Sequence, residues 1–376
     1  HGGRVHHEAS GRSLGYGELT RAAARRPVPS SPAIKAPAQF RWIGKRNARV
    51  DARAKVTGKA IYGIDVTVPG MVCAHAIHGP RYGARARQIR ADAARRSPGV
   101  IDVLAMPWGV AVVAAKYWQA LRAARLVEIE WDDGHTRGLD TAALARDARA
   151  HRSGGAPVRD DGDAHVALRR ARGAIDVVYE VPYLAHAPLE PQNCVVSVKG
   201  SSAEVWVPCQ VPTVIQETVA DALGISSDDV VVHTTLAGGG FGRRLMGDYA
   251  AQAAAIAKAI RRPVKMIWSR ESDMTQGFYR PAAIVSMRGA VDDKGRATAL
   301  AVHSRSQPLM LDQAEGFRGG QATWMPAFVR GLGARSMLSL VAANTSVDMF
   351  STEGAADTPY RIPNLRVEYT PIQARI

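Results

Sequence analysis

Residues 238–244 read Gly-Gly-Gly-Phe-Gly-Arg-Arg, and a β-branched run, Val230-Val231-Val232-His233-Thr234-Thr235, leads straight into them. No other stretch restricts the fold as strongly. The β-branched run reads as a buried strand, and the alanine-rich residues 249–260 that follow read as a helix. Four glycines in the five positions 238–242 leave Phe241 with the only Cβ. Such a backbone reaches φ > 0 at little steric cost and can bring its N–H groups against a ligand. A strand–glycine turn–helix order also sets those N–H groups near a helix N-terminus, which favours anions. Arg243 and Arg244 add positive charge suited to bidentate phosphate contact. The stretch therefore reads either as a cradle for a phosphate-bearing cofactor or as a tight bend with no ligand.

Spacing excludes the common nucleotide loops. A GxGxxG register from Gly238 needs glycine where Arg243 stands, and one from Gly240 needs it where Leu245 stands. No GxxxxGK[ST] occurs.

The 376 residues suffice for two or three domains. No apolar run is long enough for a membrane-spanning helix, and no leader pattern is visible. The first residue is His1, so the sequence is expected to be a fragment or a processed chain. Cys73, Cys194 and Cys209 lie far apart with no CxxC, which excludes zinc-ribbon and iron–sulfur motifs and leaves room for one disulfide at most. The formal net charge of +15 raises nucleic acid as a partner. The arginines run along the whole length with short clusters only, so the charge reads as an arginine-biased surface, and no nucleic-acid partner is expected.

In order, residues 1–42 read as an upstream tail and a proline-rich linker, with Pro27, Pro29, Pro32 and Pro37. Residues 43–136 read as an α+β unit. Its strands are expected at 61–66, 72–78, 100–104, 110–114 and 126–131, and its helices at 89–95 and 117–125. Residues 137–376 read as a second α+β region. A polar stretch, 136–162, opens it, with a helix near 142–150. Strands follow at 174–181, 194–198, 204–207 and 264–268, with a helix from Pro212 to 223. A hairpin is expected across Asp292-Asp293-Lys294-Gly295.

Few residues announce chemistry alone. His75 and His78 sit at an odd offset on a strand, so they point to opposite faces and cannot share a metal. His186-Ala187-Pro188-Leu189-Glu190-Pro191 is a proline-bracketed loop, either functional or a rigid turn. Gln210 alone reads as a cap or surface amide. No nucleophile elbow or triad can be assembled.

Several stretches, taken in order, resemble one family. Gly58-Lys59-Ala60-Ile61-Tyr62-Gly63-Ile64-Asp65, Val68-Pro69-Gly70-Met71 and Ser97-Pro98-Gly99-Val100 resemble the a/b hammerhead domain of the xanthine dehydrogenase and aldehyde oxidase family. His186 to Pro191, Trp206-Val207-Pro208-Cys209-Gln210-Val211-Pro212 and Gly238 to Arg244 resemble its first molybdopterin-binding domain. The branch most similar is that of the isoquinoline 1-oxidoreductase large (beta) subunits, through Arg243-Arg244-Leu245, Trp268-Ser269-Arg270-Glu271-Ser272-Asp273-Met274 and Pro359-Tyr360-Arg361-Ile362-Pro363-Asn364.

The resemblance implies a hammerhead domain followed by an incomplete molybdopterin-binding domain of a molybdenum hydroxylase large subunit. The cofactor would be molybdopterin, in its cytosine dinucleotide form, carrying molybdenum. Gly238, Gly239, Gly240, Phe241, Gly242, Arg243 and Arg244 would contact it. Gln210 would hydrogen-bond an oxygen ligand of molybdenum, and Phe241 would line the substrate pocket. No protein ligand to the metal is implied, since the pterin holds it. The reaction implied is hydroxylation of an N-heteroaromatic (isoquinoline-like) or aldehyde substrate, with water as oxygen source. A small [2Fe–2S] subunit would carry electrons away, to an acceptor such as a cytochrome, and the branch favours the periplasm. Leu245 stands where purine-oxidising relatives carry a glutamate, which argues against purines. The family's glutamate base is expected beyond this chain, and Glu190, Glu271 and Glu353 do not match its motif. By itself the chain is expected to be inactive. The alternative is a cofactor-free binding or assembly protein of the same fold.

Overall fold

The computed structural model of the chain describes residues 2–81, 83–150, 155–309 and 348–372. They divide into two compact units, His1–Ala60 and Ile61–Ile376.

The first unit holds a hairpin of β1 (Arg4–His7) and β2 (Arg12–Gly15), then α1 (Tyr16–Ala23), a 3-10 turn at Pro37–Gln39 and a short helix, α2 (Ala52–Val56). Glu18 caps α1 by accepting from the Gly15 N–H at 2.6 Å. None of these elements buries a residue.

The second unit runs β3 (Val72–His78), β4 (Arg85–Arg90), α3 (Asp92–Arg95), β5 (Val100–Met106), β6 (Gly109–Ala114), α4 (Tyr117–Ala124), β7 (Glu128–Asp132), α5 (Thr141–Ala150) and β8 (Ala156–Asp161). It continues with α6 (Ala164–Arg170), β9 (Ile175–Val181), β10 (Asn193–Lys199), β11 (Ser202–Val207), α7 (Pro212–Leu223), β12 (Val230–Thr234), α8 (Asp248–Ile260), β13 (Val264–Ile267) and α9 (Arg270–Thr275). It ends with β14 (Ala283–Val291), β15 (Ala297–Ser306) and β16 (Asn364–Pro371). No helix among the described residues is long and apolar enough to cross a membrane.

The larger sheet has the order β12-β11-β10-β13-β3-β6-β5. Every residue of β6 is buried, because both faces of the sheet are covered. Ala111 and Val113 join a cluster with Ile215 and Val219 of α7 and Tyr249 and Ile256 of α8. Val110, Val112 and Ala114 join Ala94 of α3 and Ala120 and Ala123 of α4 on the opposite face. The alternation follows from the two-residue period of a strand, and the small alanines let the helices approach closely. The smaller sheet has the order β8-β16-β15-β14-β9. Leu168 of α6 packs on Ala290 and Ala299 on one face, and Val302, Leu365 and Val367 form the other core.

The fold is α+β as expected, but its divisions differ from those read in sequence. The break falls after Ala60 rather than near 42. The sheet runs across the boundary expected near 136, because β3 pairs in parallel with β13, from Val72↔Val264 to His75↔Ile267. Residues 61–66 are not a strand: residues 63–65 form a 3-10 turn, and only Tyr62 bridges, to Leu236. Of the helix expected at 89–95, residues 92–95 form the short α3, while residues 89 and 90 end strand β4, which pairs with β7. The polar stretch read as a linker supplies β8, which pairs antiparallel with β16; Ser153 and Gly154 lie outside the described residues. All three cysteines are free thiols.

Candidate functional site

Sheet topology brings the singled-out residues to one edge. β11 and β12 are parallel neighbours, with Val207 opposite Thr234, so the chain leaves both at the same side. Pro208–Gln210 follows the first strand and the glycine run follows the second. β10 runs antiparallel to β11, so the segment before Asn193, residues 186–191, arrives at that same edge. Ligands of open sheets gather outside the carboxyl ends of parallel strands, and here three loops meet there.

Their contact is backbone against side chain. The Gln210 side-chain oxygen accepts from the Gly242 N–H at 3.1 Å. A Cβ on Gly240 would lie 2.5 Å from that oxygen, and a Cβ on Gly238 would lie 2.6 Å from Glu190 Cβ. These two glycines are required by packing against protein, not only by a ligand. Phe241 is 70% exposed. Its φ of +55°, like the +46° of Ala187 on the neighbouring loop, is a left-handed conformation that costs a non-glycine residue about 1–2 kcal/mol. Non-glycine strain of this kind clusters at functional sites.

Some donors of the loop are spent and others are spare. The Gly238 N–H donates to Glu190 Oε2 at 2.7 Å and the Arg243 N–H to the Gly240 carbonyl at 2.9 Å. The N–H groups of Gly239, Gly240 and Phe241 have no hydrogen-bond partner among the described residues, and neither has the amide nitrogen of the exposed Gln210. Four spare donors thus lie on the glycine loop and on the Gln210 side chain bonded to it. They fit a bound group rich in oxygen or nitrogen acceptors.

The two arginines have a different task from the one read in sequence. Arg243 is 3% exposed and Arg244 fully buried. Arg243 makes a bidentate pair with Asp248, at 2.8 and 2.7 Å, and its guanidinium lies 5.4 Å from the Trp268 ring centre. Arg244 donates to the carbonyls of Gly239 (2.8 Å), Pro208 (3.1 Å) and Glu190 (2.7 Å). Burial and these partners take both side chains away from phosphate contact. The helix-dipole expectation also changes. A 3-10 turn, Arg243–Leu245, separates the glycine run from α8, and Asp248 occupies the first turn of that helix.

Glu190, left without a role by sequence reading, is buried and satisfied from three sides. Oε2 takes the Gly238 N–H, and Oε1 takes the Ile64 N–H and the Asn193 side-chain amide, both at 2.9 Å. One sequence signal was available: Arg243 and Arg244 stand inside an otherwise apolar stretch, residues 236–247.

Three histidines near this edge are held neutral. Burial, helped by the charges of Arg243 and Arg280, lowers His186 to about 4. Burial lowers His78 to about 4 against the opposing bond to Gln252, and burial with the nearby His78 lowers His75 to about 4. His75 meets Tyr117 and His78 meets Gln252, so the two go separate ways. Among the described residues no three His, Cys, Asp or Glu side chains converge as a metal-ligand group.

Residues 150–309 match the molybdopterin cofactor-binding domain. The chain is 37% identical to isoquinoline 1-oxidoreductase subunit beta of Brevundimonas diminuta, over 73% of this chain and 36% of that one. It is 32% identical to the membrane-bound aldehyde dehydrogenase [pyrroloquinoline-quinone] of Gluconacetobacter polyoxogenes, over 71% of this chain and 36% of that one. Its fold is similar to that of the aldehyde oxidoreductase of Desulfovibrio gigas, with a TM-score of 0.58 at 18% identity, covering 86% of this chain and 38% of the other. The chain thus spans little more than a third of the length of the relatives it matches. With a cofactor-binding domain of this type over the three loops just described, the chain belongs to the xanthine dehydrogenase and aldehyde oxidoreductase family of molybdopterin-binding subunits.

Proposed function

We propose that the protein to which this chain belongs is the cofactor-binding large subunit of a molybdenum hydroxylase. The observation that carries the reading is the set of spare donors, the N–H groups of Gly239, Gly240 and Phe241 with the Gln210 amide nitrogen, on a loop whose Phe241 is exposed. The glycine-loop backbone would hold the pterin, and the Gln210 amide would hydrogen-bond an oxygen on molybdenum. Phe241 would form one wall of the substrate pocket. When bound, the group supplies the redox chemistry that inserts oxygen from water. This chain's residues bind and orient, and their fixed donors need no reorganisation as charge develops. His186, neutral above about pH 4, adds no charge beside the loop.

An N-heteroaromatic or an aldehyde is the substrate class we favour. The names of the two relatives, an isoquinoline oxidoreductase and an aldehyde dehydrogenase, support it, and so does Leu245, an apolar residue after the glycine run. The cytosine dinucleotide form of the cofactor, a small [2Fe–2S] partner subunit with a cytochrome-type acceptor beyond it, and a periplasmic location complete the reading. They rest on family likeness.

The test is the molybdenum and pterin content of the complete subunit purified with its neighbour-encoded partner, beside a Gly240→Asp variant. One molybdenum per subunit, lost in the variant, is expected. A folded wild type without molybdenum from a molybdenum-replete host would overturn the reading in favour of a cofactor-free binding protein.

A further inference from the structure

We infer that Arg244 is the positioning residue of the site: its buried guanidinium, with Glu190, fixes the register of the three loops before any cofactor arrives. The inference rests on the proposed cofactor role of the glycine loop and adds what sets that loop's geometry.

The three guanidinium nitrogens reach a different loop each. Nε binds the Gly239 carbonyl, Nη1 the Pro208 carbonyl, and Nη2 the Glu190 carbonyl. Nη2 also lies 3.4 Å from the Pro191 carbonyl and 3.4 Å from Glu190 Oε2. The backbone of the same residue accepts from the Gln210 N–H at 3.0 Å. Arg244 therefore touches Gln210's loop twice, once through Pro208 and once through its own carbonyl. Tyr249 Oη secures Pro208 further by donating to its carbonyl at 3.0 Å.

Glu190 completes the tie. Its carboxylate takes the Gly238 N–H and the Ile64 N–H, so the loop entry is bound to the turn at residues 63–65. Its own N–H donates to the Gly238 carbonyl at 3.1 Å, which locks the 190 and 238 segments in both directions. The outcome is that the Gly242 N–H meets the Gln210 side chain, and that the N–H groups of 239–241 are left without a partner among the described residues.

Only a planar fork can serve three loops in this way. A lysine ammonium is a compact point charge on a flexible stem and cannot span three carbonyl directions at once. Arg244→Lys therefore keeps the buried charge opposite Glu190 while removing the fork.

The experiment uses the full subunit with its partner, wild type against Arg244→Lys. Val302→Ala, a cavity variant in the core of the smaller sheet, serves as a control of comparable instability. Molybdenum content, pterin content and the rate of cofactor loss on dialysis are measured together with the melting temperature. Arg244→Lys is expected to hold about ten-fold less molybdenum or to release it about ten-fold faster, while Val302→Ala keeps wild-type loading. Equal loading in all three proteins would overturn the inference and leave the cofactor reading intact, whereas molybdenum absent from the wild type would sink that reading itself. Should Arg244→Lys fail to fold, amide exchange on the cofactor-stripped wild type decides the matter. Slow exchange of the bonded amides of Glu190, Gln210, Gly238, Gly242 and Arg243 is expected, and free exchange at these amides would mean that the cofactor, not Arg244, orders the loops.

Discussion

Gln210 and Gly242 are joined by a hydrogen bond of 3.1 Å in which the loop N–H donates to the side-chain oxygen, so the amide nitrogen of Gln210 is left without a partner among the described residues. One side chain thus has two separable jobs: its oxygen holds the loop and its nitrogen is offered to a ligand. Gln210→Glu keeps the acceptor and removes the donor. In the loaded full subunit it is expected to lower kcat by about a hundred-fold, the usual cost of one preorganised donor, with the melting temperature unchanged. Gln210→Ala removes both jobs and is expected to cost about 1 kcal/mol of stability in addition. Steady-state kinetics and thermal melts on the two variants check the separation; equal kcat in wild type and Gln210→Glu would remove the donor role.

Phe241 holds a left-handed backbone at φ +55° while 70% of it is exposed. An exposed ring in a strained conformation contributes little to folding. Phe241→Gly relieves about 1–2 kcal/mol of strain and adds about 1 kcal/mol of unfolded-chain entropy. The melting temperature is therefore expected to hold or rise slightly. Substrate selectivity, measured as the ratio of kcat/KM for a bicyclic N-heteroaromatic and a small aldehyde, is expected to change. A large loss of stability would show instead that the ring packs as core.

How much of this was legible in sequence depended on whether the determining contacts were local. Pro212 at the first turn fixed the start of α7, and the turn at Asp292 fixed the β14–β15 hairpin, because each signal lies within a few residues of its effect. Ile89 and Arg90, expected in a helix, end β4 instead, because its partner, Glu128–Asp132, lies far along the chain. The charged strand Ala156–Asp161 was opaque for the same reason: Arg366 pairs with Asp160 across to β16. Residues 61–66 carry strand-forming side chains, yet Gly63 packs so tightly that a Cβ there would sit 2.4 Å from Pro208 Cδ. In the site, the glycine run and Gln210 were visible through resemblance to a family. The burial of Arg243 and Arg244 was not: Arg244's partners are carbonyls from three loops, and Arg243 lies against the rings of Trp268 and Phe278 from later in the chain, none of which the pattern of residue types encodes.

Asp248 and Arg243 form a second test of that burial. The carboxylate is the acidic partner given to a guanidinium only 3% exposed, with Trp268 beside it. Asp248→Ala leaves the charge uncompensated and is expected to cost about 3 kcal/mol. Asp248→Asn restores an acceptor and is expected to recover part of that. Chemical denaturation of the two variants measures the difference; were Arg243 a phosphate ligand instead, loss of Asp248 would tighten cofactor binding at little cost in stability.

The three neutral histidines give the fold a pH dependence with a definite sign. His75, His78 and His186 are each lowered from an ordinary 6.5 to about 4. The unfolded chain therefore takes up protons first as the pH falls. Stability is full above about pH 6.5 and declines as the pH drops toward 4, because the native state must either exclude the charge or unfold. His78 offers the cleanest test. Its ring lies 4.5 Å from the Trp268 ring and 5.3 Å from that of Trp108, and it bonds Gln252 Oε1, which also accepts from Trp268 Nε1 at 2.9 Å. His78→Phe keeps the ring contacts and leaves Gln252 with a donor. It is expected to match wild-type stability at pH 8 within about 1 kcal/mol and to show a shallower decline between pH 6.5 and pH 4. Denaturation midpoints measured across that range would read the slope directly; an unchanged slope would mean that His78 is charged in the folded protein, which its burial against the two tryptophan rings opposes.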